Sequence, residues 1–139
     1  MILIDSGAIY ALIDKNDKNH LSAKEFYSSV VDKELFVTTV PIITESWLLA
    51  SARLGDYFAD KIWEPVSVGI FEVLEIRIND FRKAFEIEKR YSDVHFGFID
   101  STSFAACEKY KIRRVFTFDF KHFSVYRPEF TDGLQICPG

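Results

Sequence analysis

Four acidic residues stand where short apolar runs end or helices begin. Asp5 follows Ile2-Leu3-Ile4, Glu45 follows Ile42-Ile43-Thr44, Asp100 follows Phe98-Ile99, and Asp119 follows Val115-Phe116-Thr117-Phe118. Taken singly, three of them have ordinary structural roles: Asp5 and Asp100 can cap helices, and Asp119 can begin a turn. Glu45 is harder to explain that way. At helical spacing Ile42, Glu45, Leu48, Leu49 and Ala52 share one face, which sets an ionisable group on an apolar stripe with no basic residue near it. An ionised Glu is rarely buried without a partner, so the spacing predicts a proton donor or a cation facing Glu45.

Convergence of the four would decide the chemistry. Two unit charges about 4 Å apart repel by roughly 1 kcal/mol in water and roughly 4 kcal/mol at a partly buried site. Several such pairs require either protonation of some carboxyls or a divalent cation among them. An oxygen-only donor set selects Mg²⁺ or Mn²⁺ over zinc or copper, and Mg²⁺ keeps coordination positions open for substrate phosphates. Metal-assisted phosphodiester hydrolysis is the reaction such a site suits.

The elements that must position these residues can be read from the pattern. Ile2 to Ile4 reads as a strand, with a helix over Ala8 to Ile13 and a second over Leu21 to Val31. Leu35 to Thr38 reads as a buried strand. Thr39 and Pro41 start a helix that runs to about Leu54, where Gly55 stops it. Asp56 is expected to cap an amphipathic stretch to about Val68, kinked or shortened by Pro65. Phe71 to Ile76 reads as a strand, Asn79 as the cap of a helix through Glu88, Tyr91 to Gly97 as a loop, and Ser101 to Lys111 as a helix. Arg114 to Thr117 and Leu134 to Cys137 complete the strands. Strands alternating with helices predict a mainly parallel sheet with helices on both faces, joined by right-handed crossovers. Ligands on such sheets sit beyond the carboxyl ends of the strands, where Asp5 and Asp119 fall.

Composition narrows the class. The 139 residues suit one domain spanning 1–139, and 48% hydrophobic content with 6 Gly and 4 Pro excludes disordered and low-complexity chains. No apolar run approaches the length needed to cross a bilayer and the start carries no basic leader, so a cytoplasmic protein is expected. Cys107 and Cys137 match no zinc or redox spacing and are expected to be structural thiols. A net charge of -4 excludes a protein that grips long nucleic acid by overall charge, so any nucleic acid must be met locally. His20, His95 and His122 share no ligand spacing and are expected on the surface or in loops. Trp47, Phe58, Trp63 and Phe71 are expected in the core, or else in a dimer contact.

Four motifs in order, Ile2-Leu3-Ile4-Asp5-Ser6, Thr44-Glu45, Ile99-Asp100-Ser101 and Val115-Phe116-Thr117-Phe118-Asp119 followed by Phe123, resemble the PIN-domain nucleases, especially VapC-type toxins. The likeness runs from Ile2 to about Pro128. It implies a three-layer α/β/α sandwich of the PIN type, a Mg²⁺- or Mn²⁺-dependent endoribonuclease leaving 5′-phosphate and 3′-hydroxyl ends, a homodimer, and inhibition by a cognate antitoxin. Carried over by position, Asp5, Glu45, Asp100 and Asp119 form the catalytic, metal-binding quartet. Ser6 and Thr117 become hydroxyl supports, and Asp93 a weaker supporting candidate. Lys121, His122 and Arg127 follow Asp119 and are candidate contacts to the RNA backbone, with a merely solvated loop as the alternative. Haloacid-dehalogenase-type enzymes need a second Asp where this chain has Gly7, and receiver domains resemble neither the Glu45 helix nor the Thr117-Phe118-Asp119 ending. The remaining rival is a non-catalytic PIN fold that binds RNA or protein; its mark would be loss of quartet residues.

Overall fold

The computed structural model describes residues 1–139. Ile2–Ile4 (β1) leads into Ser6–Ile13 (α1) and His20–Val30 (α2), and Phe36–Thr38 (β2) into Val40–Leu54 (α3). The Thr39 hydroxyl accepts the Ile42 amide at 3.3 Å, Pro41 lies in the first turn where its missing N–H costs nothing, and Gly55 at φ +88° ends the helix. The single stretch expected from Asp56 to Val68 is three pieces: Asp56–Ala59 (α4), a 3₁₀ turn over Asp60–Ile62, and Trp63–Ser67 (α5). Pro65 accounts for the break, since it can neither donate to a carbonyl four residues back nor fit its ring there.

Phe71–Val73 (β3) is shorter than the run to Ile76 that alternation suggests, because its neighbour β2 ends at Thr38, the partner of Val73, and offers no further ladder. Ile78–Arg90 (α6) is capped two residues earlier than expected. Arg77 holds the cap position with its amide bound to the Asp80 carboxylate at 2.8 Å, while Asn79 lies inside the helix and accepts from Arg82. Phe98–Tyr110 (α7) starts three residues before Ser101, launched by Gly97 at φ +88°, a conformation that L side chains rarely adopt. Arg114–Phe116 (β4), a short Phe120–Phe123 helix (α8) and Gln135–Cys137 (β5) follow.

All five strands are parallel, in the order β3-β2-β1-β4-β5. Every β1 side chain is fully buried although successive residues point to opposite faces, so both faces of the sheet are covered and the three-layer α/β/α expectation holds. Phe36, Phe104, Phe116, Phe123 and Tyr126 fill one contiguous core, and Cys107 and Cys137 are buried free thiols. Phe71 joins the core and Trp47 packs half-buried against it, but Phe58 is exposed and Trp63 is 67% exposed. The break at Pro65 leaves the helices carrying Phe58 and Trp63 too short to turn a continuous face inward.

Candidate active site

β1 sits where the strand order reverses: the chain adds β2 and β3 on one side and β4 and β5 on the other. A crevice opens at such a point beyond the carboxyl ends of the two central strands. The β1/β4 register pairs Ile4 with Phe116, which brings Asp5 and Thr117 side by side immediately past the ladder. A pocket of about 490 Å³ lies there, lined by Asp5, Ser6, Glu45, Asp100 and Asp119 with Phe96, Phe98 and Phe118. The four acids therefore come from the ends of β1 and β4, the body of α3 and the first turn of α7 into one cavity.

Asp5 is 5% exposed and has the backbone of a helix cap, yet its side chain makes no capping bond. Instead the Thr117 hydroxyl donates to Asp5 Oδ2 at 3.0 Å, and the same Thr117 oxygen accepts the Asp119 amide at 3.0 Å. Asp5 Oδ1 is buried with no hydrogen-bond partner. Burial of a carboxylate is costly when an oxygen is left unpaired, and it is chiefly this desolvation, then the charge of Asp100, that pushes the Asp5 pKa from 3.8 up to about 7.

Glu45 receives the Ser6 hydroxyl proton, the donor its position demanded. Its helix face differs from the expected one. The inward residues of α3 are Ile42, Ser46 and Ala50, while Leu48 and Ala52 are exposed, so Glu45 is half-buried at the rim of the core. Ser46 can face inward because its hydroxyl bonds the Ile42 carbonyl at 2.7 Å.

Asp100, for which an N-cap is the ordinary structural alternative, is no cap and lies inside the first turn of α7, where Gly97 holds the cap position. Glu88 on α6 fixes that turn by accepting from the Gly97 amide at 3.0 Å and the Ser101 hydroxyl at 2.8 Å. His122, a candidate RNA contact by sequence and otherwise expected on the surface or in a loop, lies against the acids. It is not a free loop histidine: Nδ1 lies 2.6 Å from Asp100 Oδ2 and 3.3 Å from Asp119 Oδ2, and its own amide donates to Asp119 Oδ1 at 3.1 Å. The Asp119 cap of α8 swings the ring back onto the acids, with the Phe96 ring edge-on to it at 5.4 Å. Desolvation first, opposed by the His122 hydrogen bond and reinforced by the Asp119 charge, raises the Asp100 pKa to about 6.

The remaining candidates lie outside this cluster. Asp93 sits exposed in the turn after α6, away from the pocket lining. Lys121 is exposed next to the cluster, whereas the Arg127 guanidinium is turned to the Ser124 carbonyl at 2.6 Å. His20 bonds the Ala11 carbonyl and His95 pairs with Glu88 at the surface.

Strand order, the crevice and the convergent acids define a fold with a site, and comparison with known proteins fixes the family. The PIN domain model matches residues 2–128. The chain belongs to the PIN domain family. Among similar proteins, Ribonuclease VapC26 of Mycobacterium tuberculosis is 24% identical over 137 residues, covering 99% of this chain and 100% of that one. The 23S rRNA-specific endonuclease VapC20 of the same organism is 26% identical over 119 residues, covering 86% and 89%. The crystal structure of VapC20, described as a Sarcin-Ricin loop cleaving toxin, superposes with a TM-score of 0.81 at 24% identity, covering 86% of this chain and 91% of that chain. The resemblance read from four short motifs is thus a family relationship, and the α/β/α fold is shared. This PIN domain has no helix long and apolar enough to cross a membrane.

The donor set of the PIN pocket fits a divalent cation. Four carboxylates share it, two of them with raised pKa values, and a buried Asp5 oxygen lacks any partner from the protein. Carboxylate oxygens are the ligands that Mg²⁺ and Mn²⁺ prefer.

Proposed function

We propose that this PIN domain is a metal-dependent endoribonuclease, the toxin of a toxin–antitoxin pair, with Asp5, Glu45, Asp100 and Asp119 as its catalytic, metal-holding residues and Mg²⁺ or Mn²⁺ as the ion. The observation that carries the reading is Asp5 Oδ1, a buried oxygen without a partner in a pocket shared with three other acids. Full coverage of Ribonuclease VapC26 and the endonuclease VapC20 relationship support RNA as the substrate and an antitoxin as the partner. A single core supports reading residues 1–139 as one nuclease domain.

When bound, the cation supplies neutralising charge and Lewis acidity for phosphodiester hydrolysis. The chain's own residues prepare the place. Thr117 holds Asp5 and the Asp119 backbone in one register, Ser6 holds Glu45 toward the pocket, and Glu88 holds the turn that presents Asp100. Phe96, Phe98 and Phe118 wall the cavity, and Lys121 offers an exposed positive charge beside Asp119 for an RNA phosphate. The apolar surface formed by Val40, Leu48 and Trp63 supports a protein partner, an antitoxin or a second copy.

The test is cleavage of defined RNAs with and without EDTA. Cleavage that requires added Mg²⁺ or Mn²⁺ is expected; cleavage that persists undiminished in EDTA, or none under any metal, overturns the reading.

A further inference from the structure

Three groups meet at the ends of α7 and α8: Asp100, Asp119 and His122 offer one ligand atom each, all within 4.8 Å of one another. The imidazole belongs to this set by construction. Asp119 spends Oδ1 on the His122 amide and leaves Oδ2 to face the ring, so one residue both caps α8 and aims the histidine. Phe96 limits ring rotation from one side. The separations of Nδ1 from the two carboxylate oxygens, 2.6 and 3.3 Å, bracket the roughly 3 Å between neighbouring ligands of an ion bound at about 2.1 Å. Asp5, whose Oδ1 is buried and unpartnered, lines one cavity with Asp100 and Asp119, the two acids that His122 contacts.

We infer that His122 Nδ1, once the proton it shares with Asp100 Oδ2 in the metal-free protein is released to solvent, is a direct ligand of the divalent cation held by Asp100 and Asp119, giving a mixed nitrogen–oxygen site that prefers Mn²⁺ to Mg²⁺. The inference rests on the metal-dependent reading above and deepens it by naming the ion. Imidazole is a borderline ligand that first-row transition ions accept, whereas Mg²⁺ is a hard cation that favours oxygen and gives up its water reluctantly. A purely acidic quartet would not distinguish the two ions in this way.

The experiment reads metal binding by the full chain directly, without turnover. Protein loaded with Mn²⁺ is examined by pulsed electron paramagnetic resonance, in natural-abundance form and labelled with ¹⁵N-histidine, and Mn²⁺ and Mg²⁺ affinities are measured calorimetrically for the wild type and His122→Asn. Expected are a directly bound nitrogen coupling that changes isotope with the label, and Mn²⁺ binding at least about tenfold tighter than Mg²⁺, a preference that falls to about threefold or less in His122→Asn. The wild-type spectrum decides the matter even if the variant does not fold. Mn²⁺ bound without nitrogen coupling overturns the ligand assignment and leaves the metal-dependent nuclease standing. Absence of binding by either ion overturns both.

Discussion

Thr117 donates its hydroxyl proton to Asp5 at 3.0 Å across the β1/β4 seam, joining residues 112 positions apart. That bond satisfies one carboxylate oxygen and leaves the other buried and unpaired, so the metal-free protein carries an electrostatic burden at its centre. Asp5→Asn removes the charge. RNA cleavage is expected to drop by more than about 100-fold, beyond the usual loss for residues that merely support a ligand. Thermal unfolding in EDTA at pH 8 is expected to rise for the same variant. A variant that cleaves like the wild type would eliminate Asp5 from the chemistry.

The pH dependence of the metal-free protein follows in sign. Asp5 and Asp100 have folded pKa values of about 7 and about 6 against an ordinary 3.8, so the native state binds more protons than the unfolded chain between about pH 4 and 7. Stability without metal therefore falls as pH rises through that window and levels off above it. For Asp5 the full displacement corresponds to roughly 4 kcal/mol. Unfolding midpoints in EDTA should be higher at pH 5 than at pH 8, and cation affinity should climb over the same interval as the carboxyls ionise. Equal midpoints at the two pH values would contradict the burial of these charges.

Ser6→Ala takes away the donor to Glu45 while leaving the rest of the pocket in place. Activity is expected to fall about 10- to 100-fold, as for other residues that orient a ligand, with a stability change of about 1 kcal/mol. Steady-state cleavage rates set beside denaturant midpoints separate the two effects; a loss of stability large enough to explain the rate would assign Ser6 to folding alone.

A control is a buried network that shares no hydrogen bond with the four acids. The Tyr126 hydroxyl donates to Glu108 at 2.7 Å, and Glu108 also accepts the Glu129 amide at 2.8 Å. Tyr126→Phe should cost about 1–3 kcal/mol, seen as a lower midpoint in urea, with cleavage per folded molecule unchanged.

Expression in cells provides a separate check on the toxin assignment. The wild-type chain should arrest growth unless a small partner protein is co-expressed, and Asp5→Asn should be harmless alone. Unimpeded growth with abundant soluble wild-type protein would remove the toxin role while leaving the nuclease intact.

Asp5 and Asp119 could be found from sequence because an apolar run followed by an acid places that acid at a strand's carboxyl end, whatever the rest of the chain does. Glu45 could be found as an ionisable group on a helix, but its exact face could not, since Ser46 looks solvent-facing until its bond to the Ile42 carbonyl is known. The start of α7 was displaced by three residues because Gly97 reads as loop until its positive φ identifies it as the cap. His122 could be named as a neighbour of Asp119, but its pairing with Asp100 was illegible for a deeper reason. Its ring reaches Asp100 only after α8 folds back, an arrangement fixed by a side-chain cap and by packing against Phe96 rather than by any spacing along the chain. Asp93 erred the other way: an acid close in sequence to the site lies on an exposed turn.

The central place of β1 in the sheet governs when a nascent polypeptide can become dangerous. Thr117 follows Asp5 by 112 positions, so the hydroxyl that steadies Asp5 and the β4 side of the seam are made long after Asp5 and its β2 neighbour. Until that segment docks, the pocket lacks Asp119 and the Thr117 hydroxyl that holds Asp5. A ribosome can therefore synthesise this protein, surrounded by its own RNA, with the blade still unassembled.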